Sequence, residues 1–152
     1  MRLYFLRHAK TEKQAKSGKD FDRGLVQRGL DQCKELSPNL NLLPLQKIVC
    51  SSAKRTQETR TEACPKDIET LYLDDLYLSG LEGWKNILRK HAGDQVLFIG
   101  HNEGISRVVA WLLELDVHMQ TAALLTMDFM GEDPEALGPG TAQWISYYRP
   151  SV

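Results

Sequence analysis

Cysteine is scarce in this chain: three residues in 152, at Cys33, Cys50 and Cys64. An odd number of widely spaced thiols cannot form a disulfide framework, and their apolar or helical surroundings read as buried, reduced side chains. Long hydrophobic runs are missing as well. No apolar stretch approaches the roughly 18 residues that cross a bilayer, and Met1 leads directly into a strand-like run without the layout of a secretory leader. A cytoplasmic protein with no membrane partner is expected.

Neither sign of charge dominates. Nineteen basic and twenty acidic residues leave a formal net charge of -1, which offers no electrostatic ground for a nucleic-acid partner. No His and Cys residues cluster at zinc-binding spacing, and His91 and His118 stand alone, so neither a metal nor a cofactor is expected. Repeats, low-complexity tracts and long linkers are absent too. The length suits one domain, 1–152, acting as a monomer, and a domain of this size buries about 68–70% of its unfolded surface without staples. Trp84, Trp111 and Trp144 show no spacing that suggests base stacking and read as core or edge packing.

What the chain does have is alternation. Strand-like runs at Leu3–Leu6, Lys47–Cys50, Thr70–Leu73 and Val96–Ile99 are separated by helical patterns over Gln27–Leu36, Ala53–Ala63, Gly83–His91 and Glu103–Leu115. Such alternation predicts an α/β fold, a three-layer α/β/α sandwich around a mostly parallel central sheet. In the last helix Ile105, Val108, Val109, Leu112 and Leu113 share one face. Beyond it, Ala122–Phe129 and Thr141–Tyr148 are β-like runs joined by turn-rich sequence, which predicts a C-terminal antiparallel hairpin at the sheet edge.

Three strand ends carry residues suited to an anion. Arg7-His8-Ala9 follows the first strand. Ser51-Ser52-Ala53-Lys54-Arg55 follows the second, with Arg55 in the first turn of a helix whose N-terminus favours negative charge. Gly100-His101-Asn102 follows the fourth. Ligands of open α/β sheets bind beyond the carboxyl ends of the strands, so these junctions can share one pocket. Near it, Lys10, Lys13, Lys16 and Lys19 recur at a three-residue rhythm, which reads either as a solvated loop or as a guide for an acidic partner.

The ordered set resembles the histidine phosphatase superfamily, and within it the short phosphohistidine phosphatases of the SixA type. Leu6-Arg7-His8-Ala9-Lys10-Thr11 is similar to the family's Arg-His-Gly strand end. Phe21 to Leu25, continuing to Arg28-Gly29, resembles its Leu-Thr-x-x-Gly segment. The resemblance implies a phosphoglycerate mutase-like fold and a metal-independent hydrolysis in which His8 takes the phosphoryl group covalently. It makes Arg7, Arg55 and His101 the cradle around that group. Ala9, Thr11, Ser51 and Asn102 follow as supporting residues, Ser51 by shaping the turn that delivers Arg55 and Thr11 either as a phosphate contact or as a local cap.

The two arginines would fork onto phosphoryl oxygens, and their field would disfavour protonation of His8, provided its other ring nitrogen donates to a carbonyl near Ala9. Departures from the family pattern bear on the substrate. Asn102 stands where one branch has an aspartate acid, and the stretch Leu76-Tyr77-Leu78-Ser79 is apolar where the other has a glutamate. Asp74, Asp75 and Glu82 are the nearby carboxylates. A missing acid suits phosphohistidine, whose imidazole leaves readily, and points to a phosphorylated protein partner such as a histidine phosphotransfer domain. A phosphatase for small phosphoesters and a phosphoprotein-binding module without turnover remain the alternatives. Ala9 replaces a glycine, and Val26 stands where a threonine would cap the first helix.

Overall fold

Side-chain alternation along the strands decides the layers. In β1 (Arg2–Arg7), Leu3 and Phe5 point to one side while Tyr4 and Leu6 point to the other, all of them buried. A strand apolar on both faces needs a cover on each. The computed structural model, which describes residues 1–152, supplies it with two helix pairs.

Six strands form one sheet in the order β3-β2-β4-β1-β5-β6. β1, β2 (Lys47–Ser51), β3 (Thr70–Leu73) and β4 (Val96–Gly100) are mutually parallel. β5 (Leu124–Phe129) and β6 (Ala142–Tyr148) add on antiparallel, with β6 at the edge. The expected sandwich and its edge hairpin are both present.

On one face α1 (Gln27–Asn41) and α2 (Lys54–Ala63) pack Cys33, Leu36, Leu40 and Ala63 against Tyr4, Leu6, Ile48, Cys50, Leu97 and Ile99. On the other, α3 (Leu81–His91) and α4 (Gly104–Leu113) pack Trp84, Leu88, Ile105, Val108 and Leu112 against Leu3, Phe5, Val49 and Phe98. The connection leaving β1 runs through α1 to β2, past β4, whereas the one leaving β4 runs through α4 to β5 on the far side of β1. The β1/β4 boundary is therefore a topological switch point, where a crevice opens at the carboxyl ends of the strands.

Element bounds differ from the sequence reading where burial or backbone geometry overrides local pattern. α1 runs five residues beyond Leu36 and carries Pro38 inside it. An internal proline costs about 3 kcal/mol, and full burial of Leu40 returns about 1.5–3 kcal/mol of that. α4 stops at Leu113 rather than Leu115 because Glu114 adopts the left-handed conformation at φ 51°. α3 starts two residues earlier than expected, at Leu81. No helix is long and apolar enough to cross a membrane.

Candidate active site

The sheet order places β2, β4 and β1 side by side, so the three reactive strand ends become neighbours in space. Arg7 pairs in register with Gly100, and the His8 amide donates to the Gly100 carbonyl at 3.2 Å. The next residues on the two strands, His8 and His101, then stand with ring centroids 5.4 Å apart. They line an open cleft of about 310 Å³ together with Arg7, Lys10, Thr11, Lys13, Asp20, Arg23, Arg55, Leu78, Asn102 and Thr121. A larger groove of about 520 Å³ runs beside α1, but its lining of Gln27, Asp31, Lys34 and Glu62 lacks a histidine, and the chemistry gathers at the strand ends.

His8 is buried, and its Nδ1 donates to the carbonyl of Ala9 at 2.8 Å, the orientation anticipated from sequence. That bond fixes the tautomer with Nε2 unprotonated. Its pKa is pulled down to about 3, chiefly by burial and then by the charges of Arg7, Arg55 and Arg23. The arginine field read from sequence therefore acts second to desolvation. Ala9 is not among the residues with positive φ, so alanine takes this position without backbone strain. Its amide donates to Thr59 Oγ1, tying the strand end to α2.

His101 Nε2 lies 2.7 Å from Ser51 Oγ, so the serine that ends β2 orients the second imidazole as well as accepting from the Ala53 amide at the turn before Arg55. Burial, followed by His8 and Arg55, lowers the His101 pKa to about 2. Because Ser51 Oγ accepts from the Ala53 amide, we assign its own hydroxyl proton to His101 Nε2, which leaves the proton of the neutral ring on Nδ1. Asn102 donates from Nδ2 to the Met119 carbonyl and accepts from Ser106 Oγ, and Arg7 Nη1 donates to the same Met119 carbonyl. These bonds tie the arginine and the turn after β4 to one backbone oxygen.

Three buried nitrogens of these residues, Arg7 Nε, Arg55 Nε and His101 Nδ1, have no hydrogen-bond partner within the protein. A buried donor left unpaired costs about 1–3 kcal/mol, and three on the walls of one cleft call for a common acceptor. An oxyanion with several oxygens meets that demand. No three His, Cys, Asp or Glu side chains come together as metal ligands.

His8, the three residues expected to form the cradle and their supporting residues thus share one cleft or its immediate wall. Thr11 caps no helix; its hydroxyl accepts from Arg23 Nη2 at 2.6 Å. The nearby carboxylates Asp74, Asp75 and Glu82 do not line the cleft, and Asp74 instead accepts from the Ser52 hydroxyl. Sequence reasoning passed over Asp20, Arg23 and Tyr77. Asp20 joins Arg23 at 2.7 Å and the buried Arg55 at 3.0 Å, and it accepts from the Tyr77 hydroxyl at 2.6 Å. The Tyr77 ring meets His101 edge-on at 5.7 Å, so the stretch Leu76–Ser79 is not wholly apolar in function. The available signal was the Asp20-x-x-Arg23 spacing on one tight turn, masked by the lysines before it.

Residues 3–77 match the model of the histidine phosphatase superfamily, branch 1, a span holding the Arg7-His8 strand end, Arg55 and Tyr77. The N-terminal half of the chain is thus similar to that superfamily. No curated protein matches the sequence. Among solved structures, a Nakamurella multipartitia protein proposed as the phosphohistidine phosphatase SixA aligns at a TM-score of 0.85, with 21% identity over 99% of this chain and 96% of that one. The protein histidine phosphatase SixA complexed with tungstate aligns at 0.77, with 20% identity over 98% and 97%. Phosphoserine phosphatase from Entamoeba histolytica, in complex with 3-phosphoglyceric acid, aligns at 0.70, with 14% identity over 99% and 98%. At these identities the alignments establish the fold, which is phosphoglycerate mutase-like.

Proposed function

We propose that this chain is a SixA-type phosphohistidine phosphatase that dephosphorylates a protein, such as a histidine phosphotransfer domain of a phosphorelay. In the first step His8 Nε2 attacks phosphorus while the bond from phosphorus to the substrate imidazole breaks. In the second, water attacks phospho-His8, the P–N bond to the enzyme breaks, and inorganic phosphate leaves. Arg7, Arg55 and His101 Nδ1 hold the equatorial oxygens, where charge accumulates. We place the activity in the cytoplasm, where the three unbridged thiols stay reduced.

One observation carries the choice of substrate: the cleft holds a nucleophile and phosphoryl donors but no carboxyl able to give up a proton. Its sole carboxylate, Asp20, is held well below the usual range, first by the Tyr77 hydroxyl and then by Arg23 and Arg55. A serine alkoxide needs a proton to depart, whereas an imidazole protonated at its other nitrogen leaves neutral. The interval between α2 and β4, where a lid could be inserted, is spent on β3 and on α3, whose Trp84, Ile87 and Leu88 are committed to the core. Such a cleft accepts a histidine displayed on a protein surface.

The likeness to a phosphoserine phosphatase favours phosphoester hydrolysis as a second reading. Both are tested by following phosphate release from phosphohistidine and phosphoserine peptides with the protein and its His8→Ala variant. We expect turnover of phosphohistidine only, labelled phosphoenzyme in the wild type, and neither in the variant. Comparable kcat/KM on phosphoserine would establish the ester reading.

A further inference from the structure

Asp20 lies 35 positions before Arg55 and 57 before Tyr77, yet it binds both. Its Oδ2 accepts from Arg55 Nη2 at 3.0 Å and from the Tyr77 hydroxyl at 2.6 Å. Oδ1 accepts from Arg23 Nη1 at 2.7 Å, and the backbone carbonyl of Asp20 accepts from Arg55 Nη1 at 2.8 Å. One residue thereby engages both terminal amino groups of Arg55.

A guanidinium can present two forks to an oxyanion: the end, made by Nη1 and Nη2, and the side, made by Nε and one Nη. Here the end is taken by Asp20, while Arg55 Nε is buried and unpartnered. The side edge is what remains for a phosphoryl oxygen. Arg55 is 3% exposed and its partner 41% exposed, so the carboxylate sits at the mouth and the guanidinium lies below it. The Tyr77 ring stacks beneath the Arg55 guanidinium carbon at 5.7 Å from its centroid and contacts Phe21 edge-on at 4.9 Å, beside Asp20 in the same turn. Tyr77 thus braces the carboxylate and the guanidinium at once.

The geometry points to Asp20 as a positioning residue for phosphoryl transfer: it clamps the end of Arg55 and leaves the Nε edge unpaired in the cleft wall, with Tyr77 and Arg23 fixing the clamp. This rests on the reading of Arg55 as a ligand of the transferred phosphoryl group. Arg55 is then preorganised before substrate arrives, and the segment from Lys10 to Arg23 is drawn onto the cleft wall by the same bonds.

A double-mutant cycle separates positioning from a structural salt bridge. Wild type, Asp20→Ala, Arg55→Ala and the double variant are assayed on a phosphohistidine peptide and on nitrophenyl phosphate, with thermal midpoints recorded. Misplacing a charge donor should lower kcat by roughly tenfold or more in Asp20→Ala, with KM within about threefold. In the Arg55→Ala background the same substitution should change kcat less than about twofold, because nothing is left to position. If Asp20→Ala unfolds the protein, the isosteric Asp20→Asn, which keeps one acceptor, carries the cycle. Unchanged kcat in Asp20→Ala, or an equal loss with and without Arg55, would overturn the assignment. Coupling on the aryl phosphate without any phosphohistidine turnover would instead refute the substrate reading and leave the role of Asp20 standing.

Discussion

The nucleophilic role proposed for His8 requires an unprotonated ring at neutral pH, and burial favours this more than neighbouring charge does. The same holds at His101. Ring resonances of both should therefore stay put in an NMR titration from pH 7.5 to 4.5; a transition centred near 6.5 in either would show an ordinary imidazole. Linkage gives a stability counterpart. Both folded pKa values lie below the unfolded value of 6.5, so between roughly 3 and 6.5 the unfolded chain binds protons that the folded one does not. Stability then falls as pH drops through that window, by about 2 kcal/mol per histidine at pH 5. Asp20 acts in the same direction at lower pH: its depressed pKa contributes stability that is lost as pH falls below the ordinary carboxylate range.

Among the elements, α1 begins without help. Its N-cap is Val26, at φ -88° and ψ 173°, and no side chain caps the first turn. Val26→Ser places an acceptor at a backbone already in capping geometry and should raise stability by about 1 kcal/mol in a denaturant titration, with activity unchanged. α4 shows the opposite condition, a contact with no slack. A Cβ on Gly104 would lie 1.9 Å from the Ser79 carbonyl oxygen and 2.8 Å from Trp84. Gly104→Ala should therefore push α4 from the turn before α3, cost about 1–3 kcal/mol, and lower kcat by shifting His101, three residues ahead. An unaltered melting midpoint would show that the helix yields there freely.

For the whole molecule, near-neutral net charge hides an uneven distribution around the cleft. Lys10, Lys13, Lys16 and Lys19 are all exposed, none of them forms an ion pair, and the first two line the cleft itself. A partner with acidic residues around its phosphohistidine would be steered to this rim. Replacing Lys16 and Lys19, which lie outside the cleft, by glutamate should lower kcat/KM on a phosphorylated relay protein by roughly tenfold at low salt, with the gap closing as salt is added. Hydrolysis of free phosphohistidine should be unaffected. Equal losses on both substrates would mean that the lysines act on chemistry and not on docking.

Much of this was already decided by local sequence. Short continuous apolar runs determined the central strands, the 3.6-residue pattern the helices, and the βα alternation a parallel sheet, because each depends on neighbours within a few positions. The Arg7-His8, Ser51 to Arg55 and Gly100-His101 junctions were legible for the same reason, since each sits whole at one strand end. Their convergence was not local. It required the order β2-β4-β1, which places Ser51, His101 and His8 at the ends of adjacent strands. The Asp20 clamp required more still, a loop folded back so that one carboxylate meets Arg23, Arg55 and Tyr77. The Arg23 pairing is local, but nothing in the residues around Asp20 encodes Arg55 or Tyr77 as partners. Burial had the final word on protonation, since desolvation of His8 and His101 is a property of the closed core and of no segment by itself.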